Sequence, residues 1–169
     1  KIFNILFTPD GTKLISVSED KTIRVWDSRT GELVKKFESE IGKGPEGMLY
    51  ASAISPDGKY LAVAGYPVAS EGSNHVIIID LKKGKQVGTA KGHNNVINTL
   101  DFSGSGKYLA SGSDDGTVNI WRVAESKEIP LVTTLQIDFP VRGVSFNSKT
   151  QSLAVASDQR NVLIYDLIK

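Results

Sequence analysis

FSGSGKYLASGSDDGTVNIWR, Phe102–Arg122, is the stretch on which the fold turns. A small polar turn opens it. Tyr108–Ser113 follows, then a second turn carrying Asp114, Asp115 and Gly116, then Thr117–Arg122. Both runs alternate with a period of two, which is the pattern of half-buried strands. Two adjacent carboxylates on a glycine turn raise three readings: a catalytic pair, a metal site, or part of the scaffold.

The same pattern recurs. FTPDGTKLISVSEDKTIRVWD occupies 7–27, ISPDGKYLAVAGY with HVIIID occupies 54–66 and 75–80, and FNSKTQSLAVASDQRNVLIYD occupies 146–166. Equivalent turn positions are Gly11, Gly58, Gly106 and Thr150, spaced 44 to 48 residues apart. Pro-Asp-Gly at 9–11 and 56–58 suits a hairpin, since proline presets φ and glycine accepts positive φ. In KTIRVWD, Ile23 and Val25 face one way and Arg24 and Trp26 the other. Each unit thus supplies about four short strands and no helix. The expected strands are 2–8, 12–18, 22–27 and 32–37; 49–55, 59–65, 75–81 and 86–90; 96–103, 107–113, 117–123 and 130–136; then 141–147, 152–157 and 161–168. One four-stranded sheet cannot bury both faces. Stacking such sheets about an axis buries them against each other, so the fold class expected is an all-β propeller.

Gly92-His93 ahead of Trp121, and Trp26-Asp27 in the first unit, resemble the GH…WD signature of WD repeats. The second and fourth units end in Ile79-Asp80 and Tyr165-Asp166 instead, and the second is also similar to a YVTN-type blade. The resemblance implies a propeller, commonly of seven blades, that serves as a rigid platform for protein partners without catalysis. It also implies a hydrogen-bonded brace of His93, Ser113, Asp115 and Trp121. In the first unit its counterparts are Ser18, Asp20 and Trp26, with the histidine falling before Lys1. The fourth unit offers Ser157, Gln159 and Tyr165, and the second offers none. Asp115 is then the buried acceptor that orients His93, which reaches Ser113 and Trp121, and Asp114 is an exposed turn residue.

Four blades are expected, near 1–48, 49–95, 96–140 and 141–169, the last lacking its outer strand. Propellers run to about four to eight blades. The favoured expectation is part of a seven- or eight-bladed ring, ahead of two chains completing one ring as a homodimer, or four blades closing alone.

The rest of the sequence bounds the chemistry. With 169 residues, 40% apolar and 23% charged, the chain is globular and long enough for a sizeable core. A net charge of +1 points to neither nucleic acid nor membrane as a partner. No cysteine is present, which excludes disulfides and thiolate metal sites but leaves the compartment open, the cytoplasm being favoured. GKGPEG (Gly42, Gly44, Gly47) matches G-x-G-x-x-G, but a strand-like run follows where a helix is required, so a connection between units is the better reading. His75, the other histidine, is expected as an exposed turn residue, and KKGK (Lys82–Lys85) as a solvated turn. No G-x-S-x-G elbow occurs. No catalytic, cofactor-binding or metal-binding residue is therefore expected, and no cofactor.

Function falls to the connections. Residues 38–48 and 65–75 are long, and both should emerge on one face of a propeller. Met48, Tyr66 and Pro67 are apolar for such loops, and Asn94, Asn95, Phe139 and Arg142 occupy neighbouring crossings. These seven form the expected partner-binding patch. The chain is expected to be a non-enzymatic scaffold or sensor module for protein–protein interaction. The alternatives are a YVTN-like propeller with hydrolase or extracytoplasmic binding activity, which a cluster of carboxylates or histidines on the axis would favour, and a half-propeller that self-assembles.

Overall fold

Fifteen strands in four antiparallel sheets make up the described part of the chain, with no helix among the described residues. The computed structural model describes residues 1–38, 45–66, 74–150, 152–159 and 161–167. The first sheet runs β1 (Ile2–Phe7), β2 (Lys13–Ser18), β3 (Thr22–Asp27), β4 (Leu33–Glu38). The second runs β5 (Leu49–Ile54), β6 (Tyr60–Gly65), β7 (Asn74–Asp80), β8 (Lys85–His93). The third runs β9 (Ile97–Phe102), β10 (Tyr108–Ser113), β11 (Thr117–Arg122), β12 (Leu131–Gln136). The fourth has three strands, β13 (Val141–Phe146), β14 (Ser152–Ser157) and β15 (Val162–Asp166). Strand order follows chain order in every sheet, the arrangement of a propeller blade.

The turns follow from their residues. Gly11, Gly58 and Gly106 adopt φ of 70°, 70° and 69°, and each N–H closes the turn on the carbonyl three residues earlier at 2.8 Å. Only glycine takes that conformation without strain. A register shift recurs at the start of each innermost strand, between Ile2 and Asn4, Leu49 and Ala51, and Val141 and Gly143, with its counterpart opposite Gly112 and Ser113. Such bulges sharpen the local twist.

Three apolar cores correspond to three sheet-to-sheet interfaces. Ile15, Val17 and Ile23 of the first sheet pack on Leu49, Leu61, Val63 and Ile79 of the second. Ala62, Val76, Ile78 and Ala90 pack on Ile97, Leu109 and Trp121 of the third. Ala110, Val118 and Ile120 pack on Val141, Val144, Leu153 and Val155 of the fourth. Each inner sheet is therefore buried on both faces by its two neighbours. Innermost strands also bond directly across the interfaces. Asn4 donates to the Ser52 carbonyl at 3.3 Å, Val144 N–H to Thr99 Oγ1 at 3.2 Å, and Phe146 N–H to Asp101 at 2.7 Å.

The observed strands fall within a few residues of those expected, with one informative difference. β8 does not stop at residue 90 but pairs with β7 out to Asn74↔His93. That extension delivers His93 to the third sheet.

Candidate functional site: the His93 brace and the loop-bearing face

His93 is fully buried between the second and third sheets. Its Nδ1 lies 2.9 Å from Asp115 Oδ2, and its Nε2 lies 2.7 Å from Ser111 Oγ. A carboxylate offers only acceptors, so Nδ1 carries the proton and Nε2 accepts from the Ser111 hydroxyl. Trp121 Nε1–H in turn donates to Ser111 Oγ at 2.8 Å. The chain of bonds thus runs Trp121, Ser111, His93, Asp115. Thr117 closes it, its hydroxyl donating to Asp115 Oδ1 at 2.6 Å, and the Asn94 amide donates to Asp115 Oδ2 at 2.9 Å. Burial pushes the Asp115 carboxyl up, but the donors His93, Thr117 and Asn94 outweigh it and hold the group well below the usual carboxylate range. Gly92 lets Trp121 close in, since a Cβ there would meet the indole at 3.2 Å.

The serine in this chain is Ser111, not the expected Ser113. Both face the same way, being two residues apart, and register separates them. Leu109 sits directly opposite Trp121, and Ser111 opposite Asn119. Ser111 is thus one same-face step from the tryptophan. Ser113 is two, about 13 Å along the strand at roughly 3.3 Å per residue, outside the reach of an indole. Ser113 instead supports the turn: its hydroxyl donates to the Asn95 carbonyl at 3.2 Å and accepts the Asp115 amide at 3.1 Å. The first sheet repeats the correction. Trp26 donates to Ser16 at 3.0 Å, whereas Ser18 donates to the Lys1 carbonyl at 2.8 Å. Asp20 accepts from Thr22 Oγ1 at 2.5 Å and from Arg24 at 2.7 Å; burial opposes these bonds, yet its carboxyl also lies well below the usual range. In the fourth sheet Gln159 N–H reaches Ser157 Oγ at 3.4 Å, and Tyr165 packs into the core facing the third sheet.

Asp114 is more than an exposed turn residue. Its Oδ1 accepts from Asn98 at 2.8 Å and from Arg142 at 2.7 Å, while Arg142 also grips Asp158 through two bonds of 2.8 Å. Arg142, expected in the partner patch, therefore clamps the third sheet to the fourth. Sequence inspection missed this cluster and missed Thr117; the D-x-T spacing shared by Asp115–Thr117 and Asp20–Thr22 is the signal that would have found the threonines.

The other described members, Met48, Tyr66, Asn94, Asn95 and Phe139, lie on the same end of the sheets, the end of the β2–β3 and β10–β11 turns. Met48 and Tyr66 are joined by a 2.9 Å main-chain bond, and Tyr66 is 37% and Phe139 43% exposed. Asn94 and Asn95 are exposed, although the Asn95 carbonyl accepts from buried Asn74 at 2.9 Å. Pro67 lies outside the described residues, as do Gly42 and Gly44 of the glycine-rich stretch. His75 is the second residue of β7 rather than a turn residue. Among the described residues no cluster of three or more His, Asp or Glu side chains is placed to hold a metal.

These features meet their counterparts in known sequences. The WD domain, G-beta repeat family matches residues 1–27 and 84–122, the two segments that carry Trp26 and the His93 brace. The chain belongs to the WD40-repeat family. Its relatives include the target of rapamycin complex subunit wat1 of Schizosaccharomyces pombe, 34% identical over 64% of this chain and 31% of the relative. The pre-mRNA-processing factor 19 of Oryza sativa subsp. japonica is 32% identical over 94% of this chain and 29% of the relative. The nuclear distribution protein nudF of Aspergillus niger is 28% identical over 91% of this chain and 36% of the relative. The chain thus spans about a third of the length of these curated relatives. WD40 proteins are generally non-enzymatic and commonly bind protein partners. In this WD40 chain the brace is complete once, at the interface of the second and third sheets, and partial in the first sheet.

Proposed function

We propose that this chain is a non-enzymatic interaction module whose β2–β3-side loops present a docking surface to protein partners. The observation that carries the reading is the closure of the His93 cluster. Among the described residues this cluster joins a histidine, a serine and a carboxylate, yet the ring is fully buried and both nitrogens are bonded within the fold. A fixed scaffold with exposed aromatic tips suits recognition, because tyrosine and its like add contact area at low entropic cost. Replacing Tyr66 and Phe139 together by alanine in the full-length natural protein is expected to abolish co-purification of its partner while leaving the unfolding midpoint unchanged. Wild-type co-purification with an intact fold overturns the patch.

The flanks favour a larger ring. On the open side of the first sheet Ile5 and Phe7 are 59% and 61% exposed, and on that of the fourth Val162 and Ile164 are 64% and 75% exposed. The equivalent faces between neighbouring sheets form the cores. Further blades, in a ring of seven or eight, would cover them. The native mass of the natural product tests this: a single chain of about twice this length or more supports it, and two copies of this chain per particle would show that a homodimer completes the ring instead.

A further inference from the structure

At the end of the sheets opposite the loop-bearing face, a groove runs between each sheet's outer strand and the next sheet. One groove is filled by the chain itself. The β11–β12 connection, residues 123–130, is longer than its counterparts at 28–32 and 81–84 and folds back over the second sheet. There Lys127 O accepts the Thr89 amide at 3.1 Å and the Ile129 amide donates to Thr89 O at 2.8 Å, so the segment adds to the free edge of β8. Ile129 is buried to 4% exposure and lies on Gly88, where a Cβ would meet it at 2.7 Å. Glu125 anchors the segment through Lys59 at 2.7 Å, Lys83 at 3.2 Å and the Tyr60 hydroxyl at 2.9 Å. Those three donors lower its carboxyl to about 2.

The groove between the first and second sheets lies in the equivalent place, with Lys35 of β4 standing where β8 has Gly88, and among the described residues no segment fills it. It is a cavity of roughly 280 Å³ with apolar walls of Val25, Val34, Phe37 and Leu81. Lys13, Lys35 and Lys82 stand around it. β4 is the last strand of its sheet, and its pairing with β3 places Lys36 where Thr89 stands in β8. The corresponding groove between the third and fourth sheets, roughly 420 Å³, has a rim of Ser103, Ser105 and Ser148 and a single lysine, Lys107. Charge therefore selects the first groove.

We infer that the groove between the first and second sheets binds an extended acidic peptide of a partner protein, which adds to the free edge of β4 and buries an aliphatic side chain against Val25, Val34 and Phe37. Main-chain bonding to a sheet edge supplies affinity, and the pocket and the lysines supply selection. This site is separate from the Tyr66–Phe139 face and does not depend on it.

The chain's own filling segment provides the probe: a labelled synthetic peptide with the sequence of residues 123–131, VAESKEIPL, titrated into the full chain and followed by anisotropy and amide NMR. Saturable binding is expected, with shifts at Lys36, Phe37 and Gly84. Reversing Lys35→Glu and Lys82→Glu, both exposed, should weaken it roughly three- to tenfold per lysine. A peptide with both glutamates replaced by lysine should bind the reversed variant better than the original peptide does. Four outcomes overturn the proposal: no saturation at millimolar peptide, shifts confined to β12 or to the Tyr66 face, affinity indifferent to charge reversal, or a doubling of mass that the same substitutions abolish. The last would assign the groove to a second copy of the chain.

Discussion

The interface between the second and third sheets and that between the first and second share one geometry and use opposite chemistry. Their strand registers superpose. Ser111, at the centre of the His93 brace, stands where the second sheet has Val63 and the fourth has Val155. Val63 and Val155 are fully buried and simply pack. Ser111, on β10, is just as buried but works through partners drawn from two other elements, His93 of β8 and Trp121 of β11. The scaffold accepts either solution. The polar one is conditional, because each member is stabilising only while the others are present, whereas an apolar contact loses its value piecemeal.

The largest expected effect comes from breaking the polar side. His93→Ala empties a fully buried ring site and strands Ser111 and Asp115, and should cost about 3–4 kcal/mol in urea unfolding. Grafting half of the polar solution onto the apolar side is the sharper experiment. Val63→Ser buries a hydroxyl without a histidine or tryptophan to bond it, and should cost about 2–3 kcal/mol although the same residue type stabilises the third sheet. If Val63→Ser is neutral, the hydrogen-bond partners do not decide whether this register position tolerates a serine.

Next in size is the pH dependence. The folded Asp115 carboxyl titrates below its unfolded value, so the unfolded state binds more protons as pH falls. Its stabilisation is present above the unfolded carboxyl pKa of about 4 and is lost as pH drops through that value towards the folded one. Asp115→Asn should therefore be about 2 kcal/mol less stable at pH 7, and the gap to wild type should narrow at pH 3. Urea midpoints at the two pH values measure this, and a gap that widens on acidification contradicts the assignment. The smallest effect belongs to Ser52, whose buried hydroxyl lacks a hydrogen-bond partner. Ser52→Ala should leave thermal stability within about 0.5 kcal/mol of wild type or raise it.

The strands were legible because alternation and the Pro-Asp-Gly turns leave little choice of register within each hairpin. The participation of His93, Asp115 and Trp121 was written in their motif. Choosing between Ser111 and Ser113 was beyond it, because both lie on one face and only the pairing with Trp121 separates them. Arg142 read as a member of the partner patch because its partners, Asp114 and Asp158, lie 28 and 16 residues away. The filled groove was equally hidden: Ile129 in a polar loop gives no sign that it crosses to Gly88.

The two flanks of this array are unlike. One presents Trp26 and Ser16 with Phe7, the other Val162 and Ile164, and within the array each later sheet turns the side equivalent to that of Ser111 and Trp121 (Val63 and Ile79 in the second, Val155 and Tyr165 in the fourth) to the sheet before it. The assembly consequently has polarity, as a brick with a tongue and a groove does. Whatever extends it must join head to tail, and the rotation per sheet then determines whether the course of bricks closes on itself or winds onward.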